Sequence, residues 1–282
     1  MGTNVFTAFS AEEKEDFSQK YMQHLKHRNG EPDLPNRTFS VRERFFSDLE
    51  ENPVCRYGPA VVDLEAFRRN ETRHKPEAGL DEATLWALAV AKSNRSERYG
   101  VEYALSSNDF ANRGLDNPLT YIEIEEFYHT RVLEDVLSVV NLSMHQLPPH
   151  KITQNMLEVM IKLPKPVSNV MILCAEVAGV AAFSLLRDKA YELFDDQPES
   201  MQRIGDLFQQ ILVDEVGHVH YVRSQLGQAR LGLARQILPL FSHYFMSDMP
   251  EYKLLFGREL MEKIVAADID GAVAGYDDAF LP

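Results

Sequence analysis

Cysteine is nearly missing from this 282-residue chain. Cys55 and Cys174 are too few and too far apart for a disulfide framework or a thiolate metal site. They read as free thiols in a reducing, cytoplasmic compartment. Basic charge is also scarce: 29 Lys and Arg stand against 43 Asp and Glu, a formal net charge of −14. A nucleic-acid partner needs a basic footprint for its phosphates, so none is expected. The N-terminal stretch MGTNVFTAFSAEEKEDF has no basic region followed by an apolar one, so no secretory signal is expected. Period-2 runs bounded by hairpin turns are missing too, which argues against a sheet. Long apolar runs are reduced to one, Asn169–Leu186, interrupted only by Glu176. That run is short for a membrane span and reads as a buried core helix, so no membrane partner is expected.

What remains is helical periodicity, 45% hydrophobic residues and enough length for a sizeable core. Ser10 is a plausible N-cap for a first helix running to about Arg28, with Glu12, Glu13 and Glu15 in its first turn. After a proline-marked loop, Phe39–Glu51 reads as a short helix and Pro59–Arg73 as another. Four long helices follow, at roughly 81–107, 119–146, 167–194 and 199–228. A shorter one at Ile152–Leu163 lies between the second and third. The last of the four is open to continuing past Gly227. Arg235–Met246 and Tyr252–Ile269 read as further helices, and the tail as a loop. A single all-α domain over 1–282 is expected, with flanking helices in 1–73 and 231–270. His24 and His27, three apart with no acid in phase, read as a solvated face.

Two stretches repeat one figure of two acids, two spacers and a histidine. They are Glu125-Glu126-Phe127-Tyr128-His129 and Asp214-Glu215-Val216-Gly217-His218. On a helix, positions i and i+3 share a face, so Glu126 and His129 reach one point, and Glu215 and His218 another. Two Glu-x-x-His units on separate helices are half of a bundle-core dinuclear metal site. The other half needs one acid from each of the preceding long helices. Glu176 is the lone carboxylate of its apolar run, costly to bury unless paired or metal-bound. Glu97 is the only acid on the apolar stripe of the 81–107 helix and is preferred to Glu102; the bland alternative pairs it with a surface arginine.

The expected ligands are therefore Glu97, Glu126, His129, Glu176, Glu215 and His218. Carboxylate-rich donors with one imidazole per ion suit iron, with manganese as the alternative. Four carboxylates also balance two divalent ions. Glu125 and Asp214 are expected to accept the outer N–H of the ligating histidines across the bundle, Asp214 for His129 and Glu125 for His218; the plain alternative is that both are helix-surface acids. His220 points about 200° away from His218 around the helix and reads as packing or surface. Tyr99, Tyr128 and Tyr221 lie near the motifs and read as core or supporting tyrosines, with a radical tyrosine as the alternative. Phe127, Val216, Phe183 and Met171 are candidates for a substrate wall or for plain core. Gly179 and Gly217 either leave room beside the metals or serve close helix packing.

This set resembles the ferritin-like di-iron carboxylate superfamily, over roughly Asp81 to Gln228. Within it, EEFYH and DEVGH are similar to the pairs of acyl-carrier-protein desaturases and di-iron arylamine N-oxygenases. The N-oxygenases carry an additional histidine four residues before the second Glu, where this chain has Ile211. The resemblance implies a ferritin-like four-helix-bundle core and O2 activation by two iron ions. It further implies N-oxygenation, hydroxylation or desaturation of a small organic substrate, with an external electron donor. A homodimer is an open expectation. The alternatives are an iron-binding ferroxidase without organic substrate, an oxidase like the ribonucleotide reductase small subunit, and a metal-free structural bundle.

Overall fold

Amphipathic stripes of this length bury themselves best against one another. In the computed structural model, which describes residues 4–56, 61–105 and 114–282, they do so around a four-membered ring. Helix accounts for 72% and strand for 2%, so the class is all-α. The ring consists of α4 (Glu82–Leu105), α5 (Pro118–Val139), α7 (Lys165–Leu193) and α8 (Pro198–Ser224). α4 packs on α5, α5 on α8, α8 on α7, and α7 back on α4. Leu88, Leu133, Leu137, Leu186, Phe208 and Leu212, all fully buried, fill its interior.

Smaller elements clothe this ring. α1 (Ala11–Asn29) lies across α5 and α8. Its start carries a capping box, in which the Ser10 hydroxyl accepts from Glu13 N and the Glu13 carboxylate accepts from Ser10 N. α2 (Ser40–Glu51) packs on α1, and α3 (Leu64–Asn70) on α4. α6 (Lys151–Lys162) contacts α4 and α7, while α9 (Gln228–Phe245) covers α7. α10 (Pro250–Phe256), α11 (Glu259–Ala266) and α12 (Ile269–Ala272) close the C-terminal side. α7 is long and apolar enough to cross a membrane, yet 67% of its most apolar window is buried within the protein. It is a core helix here.

Several boundaries differ from expectation, each for a local reason. The loop after α1 contains a minimal antiparallel pair, β1 (Pro32–Asp33) with β2 (Thr38–Phe39), too short to show a period in sequence. α5 stops at Val139 rather than near residue 146. Asn141 enters the left-handed region at φ 61°, and Leu142 N and Asn141 N bond back to the carbonyls of Leu137 and Ser138, a Schellman termination. α8 ends at Ser224 without running through Gly227, and the side chain of Gln228 instead ties the start of α9 to Phe6 and Ala8. The expected 252–269 helix is three pieces, broken where Gly257 (φ 55°) and Ala267 (φ 49°) turn left-handed. Pro59, the end of the helix near Ser107 and the connection beginning at Phe110 lie outside the described residues. Replacing Ser10 by Ala should lower unfolding free energy by about 1 kcal/mol through loss of the capping box, read as a shift in the urea midpoint at unchanged slope.

Candidate metal centre

Each ligand candidate sits mid-helix on the inward stripe of its element, because the same periodicity that buries Leu133 or Leu212 also turns the carboxylates inward. Glu97 comes from α4, Glu126 and His129 from α5, Glu176 from α7, and Glu215 and His218 from α8. The fold brings all six together as two overlapping sets. Glu97, Glu126, His129 and Glu215 offer donor atoms all within 4.8 Å of one another, and so do Glu126, Glu176, Glu215 and His218. Glu126 and Glu215 belong to both. Glu102 is exposed, which separates it from the cluster.

Both imidazoles are oriented from behind. His129 Nε2 lies 3.3 Å from Asp214 Oδ2, and His218 Nε2 lies 3.0 Å from Glu125 Oε2. An ionised carboxylate only accepts, so each Nε2 carries the hydrogen and donates it. Nδ1 of each ring then points its lone pair inward, among carboxylate oxygens. His129 Nδ1 is 3.3 Å from Glu215 and 3.5 Å from Glu126; His218 Nδ1 is 2.9 Å from Glu126 and 3.9 Å from Glu176. Neither Nδ1 makes a directed hydrogen bond, although both rings are buried. A buried lone pair facing oxygens needs a cation or protons between them. The residues present thus fit two metal ions.

Asp214 and Glu125 are themselves held by residues that the sequence pattern did not mark. Arg28, at the end of α1, donates to Asp214 at 2.5 Å, and Arg42 of α2 at 2.6 and 2.7 Å. Asn29 donates to Glu125 at 2.6 Å and accepts from Arg42 Nε at 2.9 Å. Gln210 accepts from Arg42 Nη1 at 2.7 Å, closing the layer. Asp278 pairs with Arg28 at the partly exposed rim. No short-range signal identifies this layer, because the arginines sit about 170–190 positions from the acid they hold. The only local hint is a polar Arg28-Asn29 pair closing an amphipathic helix.

Electrostatics follow from this layering. Burial pushes the Asp214 carboxyl up, but Arg28 and Arg42 outweigh it and hold that acid well below the usual range. Burial, then Glu126 and Glu215, push Glu97 well up; burial, then Glu215 and Glu126, do the same to Glu176. Burial disfavours charge on the histidines, yet the surrounding acids prevail. Asp214, Glu126 and Glu215 raise His129; Glu125 and Glu126 raise His218. The metal-free core therefore relieves its crowding by taking up protons.

Comparison with protein-family models, with curated proteins and with solved structures finds no match to this chain. The chemistry of the centre rests on its own geometry.

Other candidates fall elsewhere. Tyr99 donates to Glu158, Tyr128 to Glu43, and Tyr221 stacks 5.9 Å from Tyr21. His220 is buried, 3.6 Å from Asp270, and belongs to neither set. His24, expected on a solvated face, is half-buried between Tyr21 and Phe280, while His27 is exposed. Phe127 is 36% exposed and lines a surface pocket with Arg98 and Arg131, so it does not wall the centre. Val216 is fully buried and Met171 half-buried. The two glycines divide. A Cβ at Gly217 would press on the Tyr21 ring at 3.1 Å, so Gly217 serves close packing of α8 on α1. A Cβ at Gly179 would stand 3.5 Å from Glu215 Oε2 and 3.9 Å from Phe183, so Gly179 leaves space beside a shared carboxylate.

Because ligation requires bare Nδ1 atoms and bare carboxylates, metal uptake at neutral pH should release protons, and affinity should fall as pH falls. Calorimetry in buffers of different ionisation enthalpy counts those protons; a count of zero contradicts the protonated metal-free core. Arg42→Met should cost about 3 kcal/mol of stability in the metal-free protein, by leaving buried carboxylate charge undercompensated. Urea denaturation in the presence of a chelator measures it.

Proposed function

We propose that this chain is a ferritin-like, non-haem di-iron oxidoreductase that uses O2 to oxidise a small organic substrate. The observation that carries the reading is the sharing of Glu126 and Glu215 between two donor sets, each completed by one histidine and one further glutamate. Shared carboxylates between two Glu-x-x-His helices are the arrangement of di-iron and di-manganese carboxylate bundles. Charge supports it as well. The four inner carboxylates, Glu97, Glu126, Glu176 and Glu215, would balance two divalent ions, while Asp214 and Glu125 lie against Arg28 and Arg42 and the exposed Asp278 shares Arg28.

Two ferrous ions bound there would supply electrons to O2 and so oxidising power toward a substrate. The protein's share is positional. Asp214 and Glu125 hold the imidazoles in one tautomer, so the donor atoms are set before any ion arrives. Arg28 and Arg42 keep Asp214 ionised, and Asn29 fixes Glu125 in place. Glu97 and Glu176 belong to one donor set each and favour the protonated state when bare, so they are suited to taking up or giving up protons as charge in the centre changes. The gap over Gly179 gives Glu215 room to move, or a small molecule room to approach.

Metal analysis of the iron-loaded protein should give two ions per chain. Glu215→Gln and Glu126→Gln should lose both; Glu176→Ala, Glu97→Ala and His218→Ala should each weaken one. Anaerobic ferrous loading followed by O2, watched by visible absorption, should give a transient in the unaltered chain and none in Glu215→Gln. Iron loading far beyond two per chain would point to storage, and full metal content in Glu215→Gln would sink the dinuclear reading. Gly179→Ala should gain up to about 1 kcal/mol of stability from helix propensity. It should keep two irons yet react more slowly with O2, in the same stopped-flow measurement.

A further inference from the structure

A second cluster of metal-ligating side chains lies outside the dinuclear centre, on elements that the proposed oxidation does not use. His74 stands in the connection between α3 and α4. His150 is the residue before α6, and Asp248 ends the 3₁₀ turn Met246–Asp248 that follows α9. Three segments far apart in sequence thus bring two imidazoles and a carboxylate to one point, their donor atoms all within 4.8 Å. On α4, Ser96 lines the pocket at this cluster while the next residue, Glu97, belongs to the dinuclear centre; successive helix positions point about 100° apart.

The carboxylate is the telling member. Asp248 Oδ2 is used within the fold, accepting from Thr153 N at 2.8 Å and Thr153 Oγ1 at 2.5 Å at the start of α6. Asp248 Oδ1 is buried, has no hydrogen-bond partner, and faces the two rings; the side chain is only 3% exposed. His150 Nδ1 is 3.1 Å from it and His74 Nδ1 3.6 Å, and His74 Nδ1 is itself buried without a directed hydrogen bond. The rings stack at 4.4 Å, an arrangement that two positive charges would oppose. Tetrahedral zinc, with bonds of about 2.0–2.1 Å, sets neighbouring donors about 3.3 Å apart. The two Nδ1–Oδ1 separations bracket that value.

We propose that His74, His150 and Asp248 form a mononuclear zinc site. Two imidazoles and one carboxylate suit zinc, whereas the carboxylate-rich centre suits iron or manganese, so one chain can sort two metals by donor type. Three protein ligands leave the fourth position open, as in zinc sites that bind water or substrate. Here it faces a pocket of about 390 Å³ whose walls include Arg73, Lys92, Arg95 and Lys151, a setting for water or a small anion on the metal.

The test is zinc content after dialysis of the full chain against zinc held at a low buffered concentration. His74→Gln and His150→Gln should each bind one fewer zinc than the unaltered chain, with unchanged far-ultraviolet circular dichroism. Both side chains are partly exposed, so neither change empties the core. Glu215→Gln should still bind one zinc. With cobalt substituted, that variant should show the intense visible bands of tetrahedral coordination, and adding His150→Gln should abolish them. Equal zinc in the unaltered chain and both histidine variants would overturn the proposal. Failure of the dinuclear reading would be seen separately, as Glu215→Gln losing no metal while the histidine variants still lose one.

Discussion

Carboxylates crowded into a helical core are the constraint around which this protein is built. Four of them meet between α4, α5, α7 and α8, and two more stand directly behind the histidines. Bare, such a group repels itself in a medium far less polarisable than water. Two remedies are built in. Protons gather on Glu97, Glu176 and the imidazoles, and guanidiniums approach from one side only, behind Asp214 and Glu125. Among the described residues, no lysine or arginine pairs with the inner four, whose neighbours of opposite tendency are the two imidazoles.

That asymmetry explains what the first two helices do. α1 and α2 lie outside the four-helix ring, yet they deliver Arg28, Asn29 and Arg42 to the back of the centre. The chain thereby separates two tasks. Residues on the ring hold donor atoms toward its axis, while residues on the covering helices keep Asp214 ionised and fix Glu125 behind the imidazoles. The same covering helices explain the close contact at Gly217, where the Tyr21 ring of α1 rests against α8.

Donor chemistry also divides the molecule. The core centre is rich in oxygen, with one imidazole in each donor set; the His74–His150–Asp248 cluster is rich in nitrogen and lies near the surface, against a pocket with cationic walls. Hard and borderline ions prefer these two environments differently. A single fold can hold both because the first is made by facing helices, and the second by a connection, a helix start and a 3₁₀ turn.

Residue spacing was enough to mark the main helices and the six side chains that meet between them, because both follow from a period of 3.6 residues within one segment. Glu126 with His129, and Glu215 with His218, need only one turn of helix to be neighbours. Glu176 stood out for an equally local reason, as a lone charge in an apolar run. What local pattern could not hold is anything made by residues distant in the chain. The grip of Arg28 and Arg42 on Asp214, the burial of His24 against Phe280, and the meeting of His74, His150 and Asp248 each depend on how finished helices pack. The early stop of α5 at Val139 belongs there too, since the side-chain amide of Asn141 just beyond it donates to the backbone carbonyl of Arg56. Periodicity decides which face of a helix turns inward; only packing decides what that face meets.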